Sequence, residues 1–174
     1  MLTNDGSKLI NEPEDLTQSE EHKQRGFQRV VVHRIVDGDT FELFNRKRVR
    51  LIGVNTPEST YKTERYGQEA RFYTTRILAG RDVWLQKDVS ETDQYGRLLR
   101  LVWVELPVDE SIESEIRSKL FNADLVLHGY AEPSTFPPDV KFSGYFRKFA
   151  REARNRQLGL WRESRKGTTR GDFD

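Results

Sequence analysis

The stretch TFELFNRKRVRLIGVNTPEST, residues 40–60, decides the reading of the fold. Apolar and β-branched residues flank a polar turn near Asn45–Lys47, the pattern of two strands joined by a hairpin. Pro57 has no N–H to give to a ladder, so the second strand ends by Thr56. Just upstream, FQRVVVHRIV (residues 27–36) reads as another strand. The DGDT that follows it (37–40) carries the Asp-Gly hairpin signal. Three consecutive strands are therefore expected, with order beginning near Phe27.

Further along, Tyr66, Ala70, Tyr73 and Ile77 fall on one helical face, and Gly80 suits its end. DVWLQKDV and RLLRLVWVEL read as two more strands, with Leu99, Leu101 and Trp103 alternating onto one face of the second. The charged segment 107–118 is read as an irregular excursion. KLFNADLVLHG is read as a short helix closed by Gly129. Phe142, Phe146, Phe149 and Ala153 mark the inner face of a last helix, with Gly159 as its stop. Five strands with a helix between the third and fourth suit a five-stranded OB-type β-barrel, an α+β fold that is mainly β, here with three helices. The pattern alone leaves other α+β arrangements open.

The chain has 174 residues, enough for one domain with a sizeable core. Residues 1–28 are acidic and without periodicity. They hold three basic and six acidic residues, a net −3, which leaves +4 on the rest of a chain whose formal charge is +1. The expected organisation is a disordered leader over 1–28, a folded domain over 29–161 and a flexible tail over 162–174. A charge this close to balance excludes coating of nucleic acid by bulk electrostatics, so any such contact needs a local cluster. No cysteine is present, which excludes disulfides and thiolate metal sites. No apolar run is long enough to span a membrane, and no export signal is visible. Location stays open, with secretion or surface anchoring expected if an upstream signal has been removed. A monomer is expected.

Three short stretches carry chemistry. In VDGDTFEL, Asp39 stands just beyond a turn, where a carboxylate suits a hard cation; the plainer reading is a hairpin chosen for backbone shape. In RLIGVNTPE, Arg50 lies on a strand otherwise made of Val, Leu and Ile, and its planar fork suits a phosphate oxygen. Glu58 follows the proline as a candidate base. In TDQYGRLL, Arg97 opens a strand after a turn at Tyr95-Gly96. A cation site, two arginines and an acid are the parts needed for phosphodiester hydrolysis. Trp84, Trp103 and Trp161 read as core or barrel-rim aromatics. His33 and His128 have no second histidine at ligand spacing and are assigned to neither metal nor catalysis. The basic run on the last helix, from Arg147 to Arg156, reads as a solvated face.

VDGDTFEL, VRLIGVNTPE, RYGQEA, TDQYGRLL and LGLW, in this order and rough spacing, resemble the staphylococcal nuclease (thermonuclease) family over about residues 29–161. The resemblance implies an OB-type barrel with three helices and a calcium-dependent endonuclease of DNA and RNA that leaves 3′-phosphate ends. It implies that Arg50 and Arg97 clamp phosphate and that Glu58 is the general base or positions water. It also implies that Asp39, Asn55 and the Thr56 carbonyl hold Ca2+, and that Tyr95 and Phe136 contact substrate. Three positions depart from the family pattern. Asn55 replaces an aspartate, which removes a negative charge and points to weaker calcium binding. Gln94 replaces a lysine, and Phe136 sits near the place of tyrosines. The loop STYKTERYG is also shorter than its counterpart. The rival expectation is a non-catalytic OB module that binds nucleic acid or a protein partner, its metal site crippled by Asn55.

Overall fold

The computed structural model describes residues 21–23, 25–61 and 64–163. The expected leader and tail lie largely outside them. Strands β1 (Phe27–Asp37), β2 (Thr40–Leu43) and β3 (Arg48–Leu51) follow one another as read from the sequence. After β4 (Val54–Asn55) come helix α1 (Gly67–Leu78), β5 (Asp82–Gln86) and β6 (Leu98–Trp103). Helices α2 (Glu113–Lys119) and α3 (Phe121–Leu127) lead to β7 (Glu132–Pro133), α4 (Ser143–Asn155) and a 3-10 turn (Gly159–Trp161).

β1, β2, β3, β6 and β5 close a barrel in that order. β1 pairs antiparallel with both β2 and β5, and β3 runs parallel to β6. This is the OB-type barrel expected from the strand and helix order. β4 and β7 form a separate two-stranded ribbon, so the third strand is interrupted at Ile52-Gly53 rather than running on to Thr56.

Val32, Phe41, Val49, Leu51, Val83 and Leu101 fill the barrel and are almost fully buried. Trp103 is buried with its indole N–H donating to Gln86 Oε1 at 2.9 Å, Trp161 is buried too, and Trp84 is partly buried against the core. On α4, Phe146, Phe149 and Ala153 face inward as their spacing requires, and Phe142 just before the helix is buried with them. Asn122 is fully buried and ties α3 to the barrel: its Nδ2 donates to the Ile52 carbonyl at 2.8 Å, and its Oδ1 accepts from the Val102 N–H at 2.9 Å.

Three expectations need correction. Among the described residues, Phe27 to Trp161 hold four α-helices where three were expected, because the short α2 precedes α3. The segment 107–118 is not irregular throughout, because its second half forms α2. Only Ile116 is buried there, so the apolar signal is weak. The helix is carried instead by Glu113–Arg117 and Glu115–Lys119 pairs four residues apart and by Arg117 forking onto Glu152 at 2.6 and 2.8 Å. Gly159 is not the stop of α4, which ends at Asn155 with Gln157 in the left-handed region (φ 53°).

Gly159 serves a close approach. Its φ is +54°, and a Cβ there would lie 2.2 Å from the Gly129 carbonyl oxygen, which accepts the Leu160 N–H at 2.9 Å. Gly159→Ala is therefore expected to destabilise the fold by about 2–4 kcal/mol, summing overpacking against backbone and a left-handed residue. The midpoint of urea unfolding measures it.

Candidate active site

The hairpin between β1 and β2 places two carboxyl groups side by side. Asp37 closes the β1–β2 ladder opposite Thr40, and Gly38 and Asp39 form the turn. Gly38 is glycine for lack of room: a Cβ would sit 2.7 Å from Thr56 Oγ1. From α1, Thr74 Oγ1 donates to the Gly38 carbonyl at 2.6 Å, which pins the turn from behind. Asp37 and Asp39 are both largely buried.

Asp39 organises the strand end opposite. Its Oδ2 accepts the Thr56 N–H at 3.0 Å and lies 3.2 Å from Arg50 Nη2, while its Oδ1 accepts from Thr40 Oγ1 at 2.9 Å. Arg50 Nη2 also donates to Asn55 Oδ1 at 2.9 Å, and Nη1 donates to the Val54 carbonyl at 2.8 Å and to the Leu51 carbonyl. The partners of this guanidinium are thus protein oxygens. Its side chain is 15% exposed, and Arg50 is among the residues that line the cleft described below.

The loop after Pro57 is bound to the start of α1. The Glu58 carbonyl accepts the Glu64 N–H at 2.8 Å, and Glu64 Oε2 accepts the Glu58 N–H at 2.9 Å. Gln68 Nε2 donates to the Ser59 carbonyl at 3.1 Å. Glu58 Oε1 accepts N–H groups from Thr60 at 2.8 Å and Tyr61 at 3.4 Å, and the Thr60 hydroxyl. Burial would raise the Glu58 carboxyl, but these donors, with a further hydrogen bond from Asp37, outweigh it and hold Glu58 below its ordinary range. Asp37 moves the other way. Burial pushes it up to about 6, with Ser59 and Gly38 opposing as donors and the charges of Asp39 and Glu58 reinforcing. Their surroundings push the two carboxyl groups apart, Asp37 upward and Glu58 downward, which favours the ionised form of Glu58.

A cleft of about 280 Å³ opens beside this cluster. Arg50, Arg97, Tyr95 and Phe136 all line it, with Gln94 and Asp93. Asp93 shapes the turn before β6. Its Oδ1 accepts the N–H groups of Tyr95 at 2.9 Å and Arg97 at 3.0 Å, and its Oδ2 takes Arg97 Nε at 2.6 Å. Arg97 also lies over the Tyr95 ring at 5.4 Å. The opposite wall is tied on by Asp139, whose Oδ1 accepts from the Val89 and Ser90 N–H groups at 3.0 and 2.8 Å. Tyr95 and Phe136 are 74% and 73% exposed, so both rings offer a free face.

Arg50, Asp39, Asn55 and Thr56 are in direct contact, Glu58 is joined to them through Asp37, and Arg97, Tyr95 and Phe136 meet them across the cleft. Reading the sequence missed Asp37 as a member of the cluster, because Asp37-Gly38 was taken for turn chemistry. It missed Asp93 as the holder of Arg97, although carboxylate and arginine stand four apart. It also missed Glu132, which lies directly across from Asn55 in the β4–β7 ribbon and is 1% exposed. The register therefore sets the amide of residue 55 opposite a buried glutamate.

Neutralising Asp93 tests its hold on Arg97. Asp93→Asn keeps an acceptor for the backbone but loses the charged grip, so the unfolding free energy read by urea is expected to fall by about 1 kcal/mol. Burial works against the Asp93 charge, but Arg97 and the backbone donors hold its pKa below the ordinary value. Its contribution is therefore full above the unfolded value and lost as pH falls through the folded one.

The chemistry of the donors around Asp39 suits a hard cation. Asp39 and Asn55 offer a carboxylate and an amide oxygen, each also bound by Arg50 Nη2, and Thr56 Oγ1 is buried with no hydrogen-bond partner. Among the described residues no three carboxylate or imidazole groups gather closely enough to hold a metal on their own, so carbonyl, amide and water oxygens would complete such a site.

A family model described as staphylococcal nuclease homologue matches residues 48–163. The chain belongs to this family. The match takes in the site residues from Arg50 onward and begins after the hairpin of Asp37, Gly38, Asp39 and Thr40. Among curated relatives, a thermonuclease of Staphylococcus intermedius is 32% identical over 137 residues, 75% of this chain and 74% of that one. A micrococcal nuclease of Shigella flexneri is 33% identical over 136 residues, 75% and 71% of the two chains. A thermonuclease of Staphylococcus hyicus is 29% identical over 136 residues, 75% and 73%. Among the described residues no helix is long and apolar enough to cross a membrane.

Proposed function

We propose that the chain is a calcium-dependent endonuclease that hydrolyses phosphodiester bonds of DNA and RNA and leaves 3′-phosphate ends. One observation carries the reading: Arg50 belongs both to the carboxylate cluster and to the lining of the cleft. A phosphate in the cleft therefore meets Arg50 and Arg97 together. The kinship with nucleases supports the same conclusion.

Arg50 and Arg97 bind the scissile phosphate and hold the charge that grows on its oxygens. Glu58, kept ionised by its loop donors, orients water for in-line attack and takes its proton as the bond to phosphorus forms. The bond from phosphorus to the 5′ oxygen breaks, and that oxygen takes a proton from solvent as it leaves. Tyr95 and Phe136 hold the nucleotides on either side, Phe136 through its ring face. Asp39, Asn55 and the Thr56 carbonyl would hold Ca2+, which supplies charge neutralisation at the phosphate when bound. Asn55 contributes no charge, so modest calcium affinity is expected.

The test is release of acid-soluble nucleotides from DNA and RNA with calcium, with chelator, and with calcium restored. Release that follows calcium in all three steps is the expected result. No release from folded protein at any calcium concentration would overturn the reading in favour of a binding module.

A further inference from the structure

Beyond the cleft, the outer face of β1–β2–β3 carries a second arrangement. Register places Arg34 opposite Glu42 and Glu42 opposite Arg48, one row across three strands. Glu42 is only 4% exposed. Arg34 grips it with a fork, Nε to Oε1 at 3.2 Å and Nη2 to Oε2 at 2.9 Å. Arg46 Nη1 donates to Oε1 at 3.2 Å, and Arg48 Nε lies 3.8 Å from Oε2. One forked arginine would satisfy this carboxylate. Three leave an excess of positive charge, and the side chains of Arg34, Arg46 and Arg48 remain 49%, 77% and 48% exposed. Glu42 is thus a buried pin that fans three guanidinium groups at the surface.

The row lies next to the cleft. Arg48 and Arg50 alternate onto the same face of β3, about 7 Å apart along the strand. Arg48 precedes Val49, which pairs with Leu98, the residue after Arg97. In the other direction, Phe44 stands two residues beyond Glu42. It is 67% exposed, with its ring 4.5 Å from that of His33. Cleft, guanidinium row and aromatic ring therefore follow one another along one face, each a two-residue step from the last.

We propose that Arg34, Arg46 and Arg48, fanned on Glu42, bind the phosphodiester backbone of a single strand that continues out of the cleft, with Phe44 as a platform for one of its bases. Fixed planar donors in excess of the charge they balance suit phosphate oxygens. An exposed ring beside them suits an unpaired base. The proposal rests on the reading of the cleft as a nuclease site for what occupies the cleft itself.

The experiment uses the full chain and two readouts. The first is binding of a fluorescent single-stranded 12-mer in chelator, by anisotropy across a salt series. The second is cleavage of a dinucleotide against the 12-mer. The variant Arg46→Gln/Arg48→Gln leaves the Arg34–Glu42 fork intact. It should weaken 12-mer binding at least tenfold and lower the slope of log K on log salt by about 1.4, two phosphate contacts at about 0.7 each. Dinucleotide cleavage should not change. Phe44→Ala should weaken binding roughly tenfold with the slope unchanged. Arg46→Lys/Arg48→Lys should restore the slope. Wild-type affinity and slope in the glutamine variant would overturn the proposal, as would equal losses in the lysine and glutamine variants or no binding by the wild-type chain. If the wild-type chain binds the 12-mer but cleaves nothing, the nuclease reading fails while the binding arm still decides this one.

Discussion

Glu58→Gln is expected to lower kcat by roughly 10²–10⁴-fold, the range for loss of a positioned proton acceptor, with the fold intact. Glutamine keeps a carbonyl oxygen that can accept the Thr60 and Tyr61 N–H groups and the Thr60 hydroxyl now held by Glu58 Oε1. Unfolding free energy should therefore stay within about 1 kcal/mol of wild type, because the exchange loses only the charge assistance of these bonds. Glu58→Ala would remove the loop's anchor as well, and could not separate chemistry from loop order. Steady-state kinetics on an oligonucleotide measures the first effect and urea unfolding the second. Calcium titration of the folded variant, read by a change in fluorescence, adds a third readout. Unchanged calcium affinity with low kcat marks Glu58 as acting on water. Affinity lost in step with activity would reassign it to the cation. Full activity in Glu58→Gln would sink its role altogether.

The same loop explains how much of the site was legible in sequence. Arg50, Asn55, Thr56 and Glu58 lie within nine residues, and the proline among them announces a turn, so their proximity follows from chain geometry. Asp39 joins them because the Asp-Gly hairpin brings Thr40 opposite Arg50. Strand order was legible for a similar reason: β-branched runs and turn residues are local signals. What could not be read depends on distant pairings. The ribbon of β4 and β7 is two residues long on each side, too short for any periodic signal, yet it sets Glu132 against Asn55. Helix α2 was missed because it is built on charge pairs rather than an apolar face, although its Glu113–Arg117 and Glu115–Lys119 spacings were visible. The fan on Glu42 joins three strands through register, which a sequence does not state.

Asn55 takes on a different weight once Glu132 is known. From the sequence it stood as a calcium ligand one charge short. In the fold it accepts from Arg50 Nη2 at 2.9 Å and faces a buried carboxyl group across the ribbon. A neutral acceptor there adds no second negative charge opposite buried Glu132. The residue is therefore fitted to its neighbour as much as to any cation, and one neutral ligand is poor ground for reading the whole site as disabled.

Arg50→Lys is expected to lower kcat by roughly 10²–10³-fold although the charge is kept. The guanidinium binds in two directions at once. Nη1 reaches the carbonyls of Leu51 and Val54, and Nη2 reaches Asn55 Oδ1 and Asp39 Oδ2. These bonds take both hydrogens of each Nη and fix the plane of the fork, which leaves Nε–H as the donor held ready for a phosphate. A lysine ammonium presents three donors from a single nitrogen. It can neutralise Asp39, but it cannot also span Asn55 and Val54 and still point into the cleft. Asp39 would then keep its charge with a looser partner, beside Asp37, at a stability cost of about 1.5–3 kcal/mol for weakened bonds to a charged group. Kinetics and urea unfolding on the same preparation separate the two losses, since at saturating substrate the fall in kcat should persist at temperatures where the variant is fully folded. Activity within about threefold of wild type would mean that positive charge alone suffices, and that the fork serves the fold rather than the phosphate.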